Sequence, residues 1–245
     1  MATNPNVLTD REKYIGGSEI STILGINPFM TRWKLLQLKA GLIEDEFEGN
    51  EYTEYGDIME PKIRDYINTL HPVEYSKTPF IEDTIVQEEE IISRRCNYDG
   101  LSKTHCLEIK TTSQIHNNVK DYKRYLVQLL WGMILSKRKK GLLAVYERPN
   151  NFDTNFNFLR LKIYEIDIKN YQDWIEEIEE AVAIFKQDLV KLKENPFLSE
   201  ADLLPKELIE LSTQIDVFEE VIKQNKRVEE EYKRIKEKLV DAMQE

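Results

Sequence analysis

The chain reads as an α/β protein: a mixed β-sheet flanked by helices, with a helical extension behind it. Three observations predict this. Short runs rich in β-branched and aromatic residues lie between Val73 and Thr111, and again from Gly141 to Ile166, separated by polar turns. Stretches with helix-period apolar residues stand before, between and after them. Beyond Pro196, apolar residues recur every three or four positions among Glu and Lys, the pattern of a helical hairpin or coiled coil.

The elements follow in order. Arg11 to Gly41 reads as loop, helix, turn, helix. Gly16-Gly17 allows a tight approach, and Ser18 is a suitable N-cap for a helix over Glu19 to Leu24. Gly25-Ile26-Asn27-Pro28 stops that helix, with Asn27 shaping the turn. Thr31 caps a second helix that uses Trp33, Leu35, Leu36 and Leu38 and ends at Gly41. Glu44 to Glu51 is an acidic surface segment. Tyr52 to Leu70 keeps helical spacing through Tyr55, Met59, Ile63, Tyr66 and Ile67, and Pro61 predicts a kink or a restart next to Glu60. Strands are expected over Lys77 to Glu82, Ile91 to Asn97 and His105 to Thr111. A helix is expected over Asn118 to Ser136. Two more strands, Gly141 to Tyr146 and Phe156 to Ile166, flank a turn at Arg148 to Asn151. Layering these elements gives an α/β sandwich. A long amphipathic helix, Asn170 to Glu194, ends at Pro196. Pro205 to Glu245 is helical again, carrying Leu208, Leu211, Ile215, Phe218, Ile222, Val228, Tyr232, Ile235 and Leu239. The expected organisation is a core over 1–195 and an extension over 196–245.

Composition narrows the class. The 245 residues suffice for one large domain with an appendage. No apolar stretch is long enough to span a bilayer, and Met1 to Thr9 has neither the basic nor the apolar region of a secretory leader. The expectation is a cytoplasmic protein with no membrane partner. Cys96 and Cys106 are read as buried structural thiols. The net charge of −11 argues against a uniformly basic nucleic-acid binder, but leaves room for a local positive groove beside metal ions.

The chemistry gathers around Asp99. Eight residues intervene, and then comes Glu108-Ile109-Lys110 in a short apolar run. Two-residue alternation along a strand places Glu108 and Lys110 on one face and Ile109 on the other. Two carboxylates and an ammonium at a strand end can hold a hard divalent cation and activate water, the apparatus of metal-dependent phosphodiester hydrolysis. Lys120, Lys123, Arg124 and Lys137 to Lys140 are read as a basic stripe, either a surface for DNA backbone or a solvated face. His71, His105 and His116 have no metal-ligand spacing, and His105 is read as structural.

Several segments together resemble the phage λ exonuclease-like, YqaJ-type viral recombinase branch of the PD-(D/E)xK nuclease superfamily. They are Ile15-Gly16-Gly17-Ser18-Glu19-Ile20 with Leu24-Gly25-Ile26-Asn27-Pro28-Phe29, then Tyr55-Gly56-Asp57-Ile58-Met59-Glu60-Pro61, then Asp99-Gly100, Glu108-Ile109-Lys110-Thr111 and Tyr125-Leu126-Val127-Gln128. They occur in family order over roughly residues 11 to 130. Tyr98 stands where the superfamily name has proline.

The resemblance implies a restriction-endonuclease-like core and a set of roles. Asp99, Glu108 and the backbone carbonyl of Ile109 would bind Mg²⁺, with Mn²⁺ able to substitute. Lys110 would orient or deprotonate the attacking water, with a pKa lowered by the metal. Glu60 would contact a second metal or its water. Gln128 would face the site, as an amide among Leu126, Val127, Leu129 and Leu130 must find a polar partner. Tyr125 is read as packing, the lesser alternative being a hydroxyl near the phosphate. Arg11 and Ser18 would hold a 5′-phosphate, and Thr111 would touch the DNA backbone. The implied activity is an Mg²⁺-dependent DNA exonuclease. It would degrade linear duplex 5′ to 3′ and leave 3′ overhangs for phage-type homologous recombination. It would work in a bacterial host, with a single-strand annealing protein and as a homo-oligomer, the family's form being a ring-shaped trimer. The alternatives are a structure-specific endonuclease or nickase using the same site, and a non-catalytic binding module that works through its helical tail.

Overall fold

The structure is a computed structural model that describes residues 10–44, 49–70, 75–204 and 206–242. Met1 to Thr9, His71 and residues 45–48 of the acidic segment lie outside the described residues, as do the side chains of Leu208, Leu211, Ile215 and Leu239. The chain divides into two compact units, Met1–Pro196 and Phe197–Glu245.

The first unit holds a six-stranded mixed sheet. Its strands are β1 (Tyr14–Ile15), β2 (Ile81–Gln87), β3 (Ser93–Leu101), β4 (His105–Thr112), β5 (Lys140–Glu147) and β6 (Leu161–Asp167). The order runs β1-β3-β4-β5-β6, with β2 paired to β3. β4 and β5 are parallel, as are β1 and β3, and the other pairs are antiparallel. The helices are α1 (Ile20–Ile23), α2 (Arg32–Ala40), α3 (Glu51–Leu70), α4 (Lys123–Ser136) and α5 (Gln172–Glu194). The second unit contains α6 (Lys206–Ala242), one continuous helix of 37 residues.

Register creates an opening in the sheet. Arg94 pairs with both β1 and β2, and Leu101 with both β2 and β4. A residue has only two edges, so β1 and β4 share the edge of β3 opposite β2. β1 covers Ser93 and Arg94, and β4 pairs at Gly100 and Leu101. Among the described residues no strand pairs with that edge from Arg95 to Asp99. The backbone groups released there still need partners. The Trp131 indole N–H donates to the Arg95 carbonyl at 3.0 Å, and the Ile109 N–H on β4 donates to Asp99 Oδ2 at 2.7 Å.

One face of the sheet packs on α3, where Tyr55, Met59, Ile63 and Ile67 meet Phe80, Leu107, Ile109, Leu142, Ala144 and Tyr146. Each such apolar side chain withdrawn from water contributes roughly 1.5–3 kcal/mol. The helix runs through Pro61 as a single element rather than restarting there. The other face packs on α4, which buries Leu126, Leu130, Trp131 and Met133. Both cysteines are free and buried, as expected; Cys106 Sγ lies 3.0 Å from Ser136 Oγ.

Several boundaries differ from expectation. The first strand expected over Lys77 to Glu82 forms over Ile81–Gln87. Both backbone groups of Phe80 are taken by the Asn68 side chain of α3, so the approach to the strand is tied to the helix instead of the sheet. β3 continues through Asp99 and Gly100, which read as a turn. Gly100 permits it, because a Cβ there would meet Phe80 Cβ at 2.9 Å. Residues 119–122 and 158–160 are 3-10 turns leading into α4 and β6. Ser18 does not cap a helix. It lies within a 3-10 turn, Gly17–Glu19, and the Glu19 carboxylate accepts the Gly16 N–H at 2.9 Å.

Gly132 of α4 marks a close helix–sheet approach. A Cβ there would meet Tyr98 Cε1 at 2.9 Å and Cys96 Sγ at 3.1 Å. The ring cannot swing away freely, because its hydroxyl donates to the Gly132 carbonyl at 2.8 Å. Gly132→Ala gains about 1 kcal/mol of helix propensity and loses about 1–3 kcal/mol to overpacking. The expected outcome is net destabilisation in urea unfolding; a stabilised variant would show that the interface is looser than described.

Candidate active site

The site forms where β3 and β4 part. Asp99 lies on β3, and Glu108 and Lys110 lie on β4. Asp99 turns into the opening and takes the Ile109 N–H, so one carboxylate oxygen is held and the other remains available. Glu108 is 3% exposed. Its Oε1 lies 2.5 Å from Lys110 Nζ in an ion pair, and no other partner reaches this buried oxygen. Glu60, from the middle of α3, reaches the same region and is bound at 2.9 Å by Arg64 one turn later. Arg64 also donates to the Asp99 carbonyl at 2.6 Å and pairs with Glu82 on β2.

Electrostatics follows from this crowding. Burial and the Asp99 charge push the Glu108 carboxyl up to about 8 and that of Glu60 up to about 7. Burial also raises Asp99, against the pull of Lys110 and the Ile109 N–H. Burial opposes the Lys110 charge, but Glu108 and Asp99 outweigh it and hold the ammonium above its ordinary range. A lowered Lys110 pKa was expected beside a metal. With its carboxylate neighbours alone, the lysine is a firmly protonated cation.

The donor set fits a divalent cation. Two adjacent carboxylates, Glu108 buried and Asp99 partly so, disfavour each other's charge, and only the Lys110 ammonium partners Glu108 Oε1. Hard oxygen donors suit Mg²⁺ or Mn²⁺. Among the described residues no three His, Cys, Asp or Glu side chains gather into a metal cage, and Glu60 is engaged by Arg64 instead.

The other expected residues separate into near and far. Gln128 on α4 is partly exposed and lies against the Gly17 turn, where a Cβ on Gly17 would be 3.3 Å from Gln128 Cγ. The structure therefore brings Gln128 beside the turn that carries an exposed Ser18. Arg11 is ion-paired with Glu19 at 3.4 Å. Thr111, next to Lys110, faces Gly56 of α3. His105 stands at the opposite end of β4, hydrogen-bonded to Thr104. The basic stripe divides. Lys123 is 3.7 Å from Glu177, whereas Lys140 pairs with Asp167 beyond the other end of α4, because that helix stops at Ser136.

Three features escaped the sequence reading. Glu19 and Lys39 form a buried pair at 2.8 Å, and Lys39 also donates to the Tyr14 carbonyl at 2.6 Å, which fixes the Gly16–Glu19 turn. Nothing in the sequence marks a buried lysine in α2. Arg64 organises Glu60 and Asp99, and its i,i+4 spacing from Glu60 was a usable clue. Tyr125 does more than pack: its ring lies 5.9 Å from Lys110 Nζ.

The YqaJ-like viral recombinase domain matches residues 7–139. An uncharacterised protein of Mycoplasma genitalium is 26% identical over 177 residues, covering 65% of this chain and 59% of that one. The chain therefore spans less than two thirds of that relative's length. The fold is shared with an alkaline exonuclease from Laribacter hongkongensis, at 16% identity and a TM-score of 0.50 over 84% of this chain and 96% of the other. It is also shared with a phage-related exonuclease from Haemophilus somnus, at 18% identity and a TM-score of 0.51 over 73% and 94%.

The carboxyl shifts predict a pH response of the metal-free protein. Glu60 and Glu108 hold protons in the folded state at pH values where an unfolded carboxyl, near 4.5, has lost them. Their contribution is full below pH of about 4.5 and is lost as pH rises through about 7 to 8. The raised Lys110 acts in the same sense only in a far more alkaline range. Melting in EDTA should fall between pH 5.5 and 8.5, and Glu108→Gln should flatten that fall. Added Mg²⁺ should raise Tm more at pH 8.5, since ligands must be deprotonated. An unchanged slope in the Gln variant would place the effect elsewhere.

Proposed function

The chain belongs to the YqaJ-like viral recombinase family of nucleases, and from that premise we propose that it is an Mg²⁺-dependent exonuclease degrading linear duplex DNA from 5′ ends. The observation that carries the reading is the meeting of the partly buried Asp99 and the buried Glu108 with Lys110 at the parting of β3 and β4. A divalent cation held by Asp99, Glu108 and the Ile109 carbonyl would offset phosphate charge and lower the pKa of an attacking water.

The remaining steps fall to side chains. Lys110 enters as an ammonium, held by Glu108, and supplies positive charge to the scissile phosphate. Glu60, with a carboxyl near 7, is poised to exchange a proton close to neutral pH. Arg64 keeps Glu60 and the Asp99 backbone in register. Ser18, with Gln128 beside its turn, and Arg11 behind it, would receive a 5′-phosphate. Thr111 would touch the strand next to Lys110. The resulting 3′ overhangs would serve an annealing protein in phage-type recombination, in the cytoplasm of a bacterial host. α6 exposes Val217, Phe218, Val221, Ile222, Val228, Tyr232 and Ile235, a composition suited to self-association or to docking that protein.

End-labelled linear duplex, with and without a 5′-phosphate, is the direct test beside a closed circle in Mg²⁺. Loss from 5′ ends, faster with phosphate, is expected, and the circle should survive. Glu108→Ala and Lys110→Ala should each slow the reaction by about 10²–10⁴-fold. A cut circle would replace the exonuclease with an endonuclease. No metal-dependent cleavage of either substrate would leave a binding module.

A further inference from the structure

The roles above leave Phe29 unexplained. Its ring is 82% exposed, although it belongs to a well-braced turn. Asn27 Oδ1 accepts the Phe29 N–H at 3.0 Å, the Asn27 amide donates to Thr22 Oγ1 at 2.7 Å, and Pro28 fixes the intervening φ. One exposed ring is ordinary on a protein surface; this one is set apart by the rigid turn that presents it beside a cation.

Its surroundings point to a ligand. The Arg124 guanidinium lies 5.3 Å from the Phe29 centroid and 4.6 Å from that of Tyr125, and Arg124 Nη2 is 2.5 Å from the Tyr125 hydroxyl. The Tyr125 ring in turn lies 5.9 Å from Lys110 Nζ. Phe29, Arg124, Tyr125 and Lys110 therefore form a continuous alternation of ring and cation, leading from the exposed rim to the catalytic ammonium. Arg124 orders one side of the Phe29 ring, while most of the ring is open to solvent. The site thus offers a flat apolar surface beside a guanidinium. That pairing matches a nucleotide, with a base for the ring and a phosphate for the cation. An apolar protein anchor would be met by apolar neighbours instead.

We propose that Phe29 is a stacking platform for a base of the DNA strand engaged in the site, and that Arg124 binds the adjacent phosphate. The inference rests on the nuclease reading and adds a subsite to it. Stacking is indifferent to base identity, so the platform would grip any sequence.

The test uses the full chain in EDTA, so that no strand is cut. Oligonucleotides, single-stranded and duplex, carry 2-aminopurine at successive positions from the 5′ end. Binding is followed by anisotropy and stacking by quenching. Wild type should quench one or two positions selectively. Phe29→Leu, at an exposed site that leaves the fold undisturbed, should abolish that quench and weaken binding about tenfold. Phe29→Trp should keep both. Arg124→Gln should weaken binding and reduce its salt slope by about one. Unchanged quenching and affinity in Phe29→Leu would overturn the platform while cleavage by wild type left the nuclease reading intact. A wild type that neither binds nor cleaves DNA would overturn both.

Discussion

The hydrogen bond from the Ile109 N–H to Asp99 Oδ2 is the constraint from which the site follows. β3 and β4 pair only at Gly100 and Leu101 and then part, which leaves an amide that a sheet would ordinarily satisfy. A carboxylate fills that vacancy. Asp99 is thereby aimed into the opening beside Glu108, and the Trp131 indole on α4 satisfies the backbone on the other rim. Fold and chemistry are joined at this point, because closing the ladder would both bury the opening and release Asp99.

Charge in the opening is deliberately unbalanced. Glu60, Asp99 and Glu108 face Lys110 and Arg64, three acids against two cations, in surroundings that penalise every unpaired charge. Without a cation the acids answer by retaining protons. With one, the same crowding would favour binding. On the nuclease reading, a chain of net charge −11 would meet a polyanion through cations placed singly, Lys110 and Arg124.

Much of this was legible in the sequence, and the reasons differ by element. β5 carries a continuous apolar run, and β4 alternates apolar and charged residues from Leu107 to Lys110, so their position and the facing of Glu108 and Lys110 were readable. The α3 stripe was readable through a proline for the same reason: four buried positions at helical spacing outweigh one missing N–H. β2 was misplaced because its entry is decided by Asn68, twelve residues upstream of Phe80, and long-range side-chain capping leaves no periodic trace. Ser18 looked like a cap because serine commonly is one; Glu19 does that work since Lys39 draws its carboxylate inward. Lys39 became visible only when tertiary contacts set its partners, whereas Arg64 left a trace in its spacing from Glu60.

The Gly17 turn shows how fine the tolerance is. It touches Gln128, Trp131 and Cys96 across a space that a methyl group would close to 3.3, 3.5 and 3.7 Å. The separation between the Ser18 turn and the first polar residue of α4's inner face is thus set by the absence of one carbon atom. For anyone redesigning this protein, residue 17 is a fitted position rather than a spare loop residue: a methyl group there would rest against Trp131 and Cys96 and press on Gln128, so the first side chain to give way would be that amide.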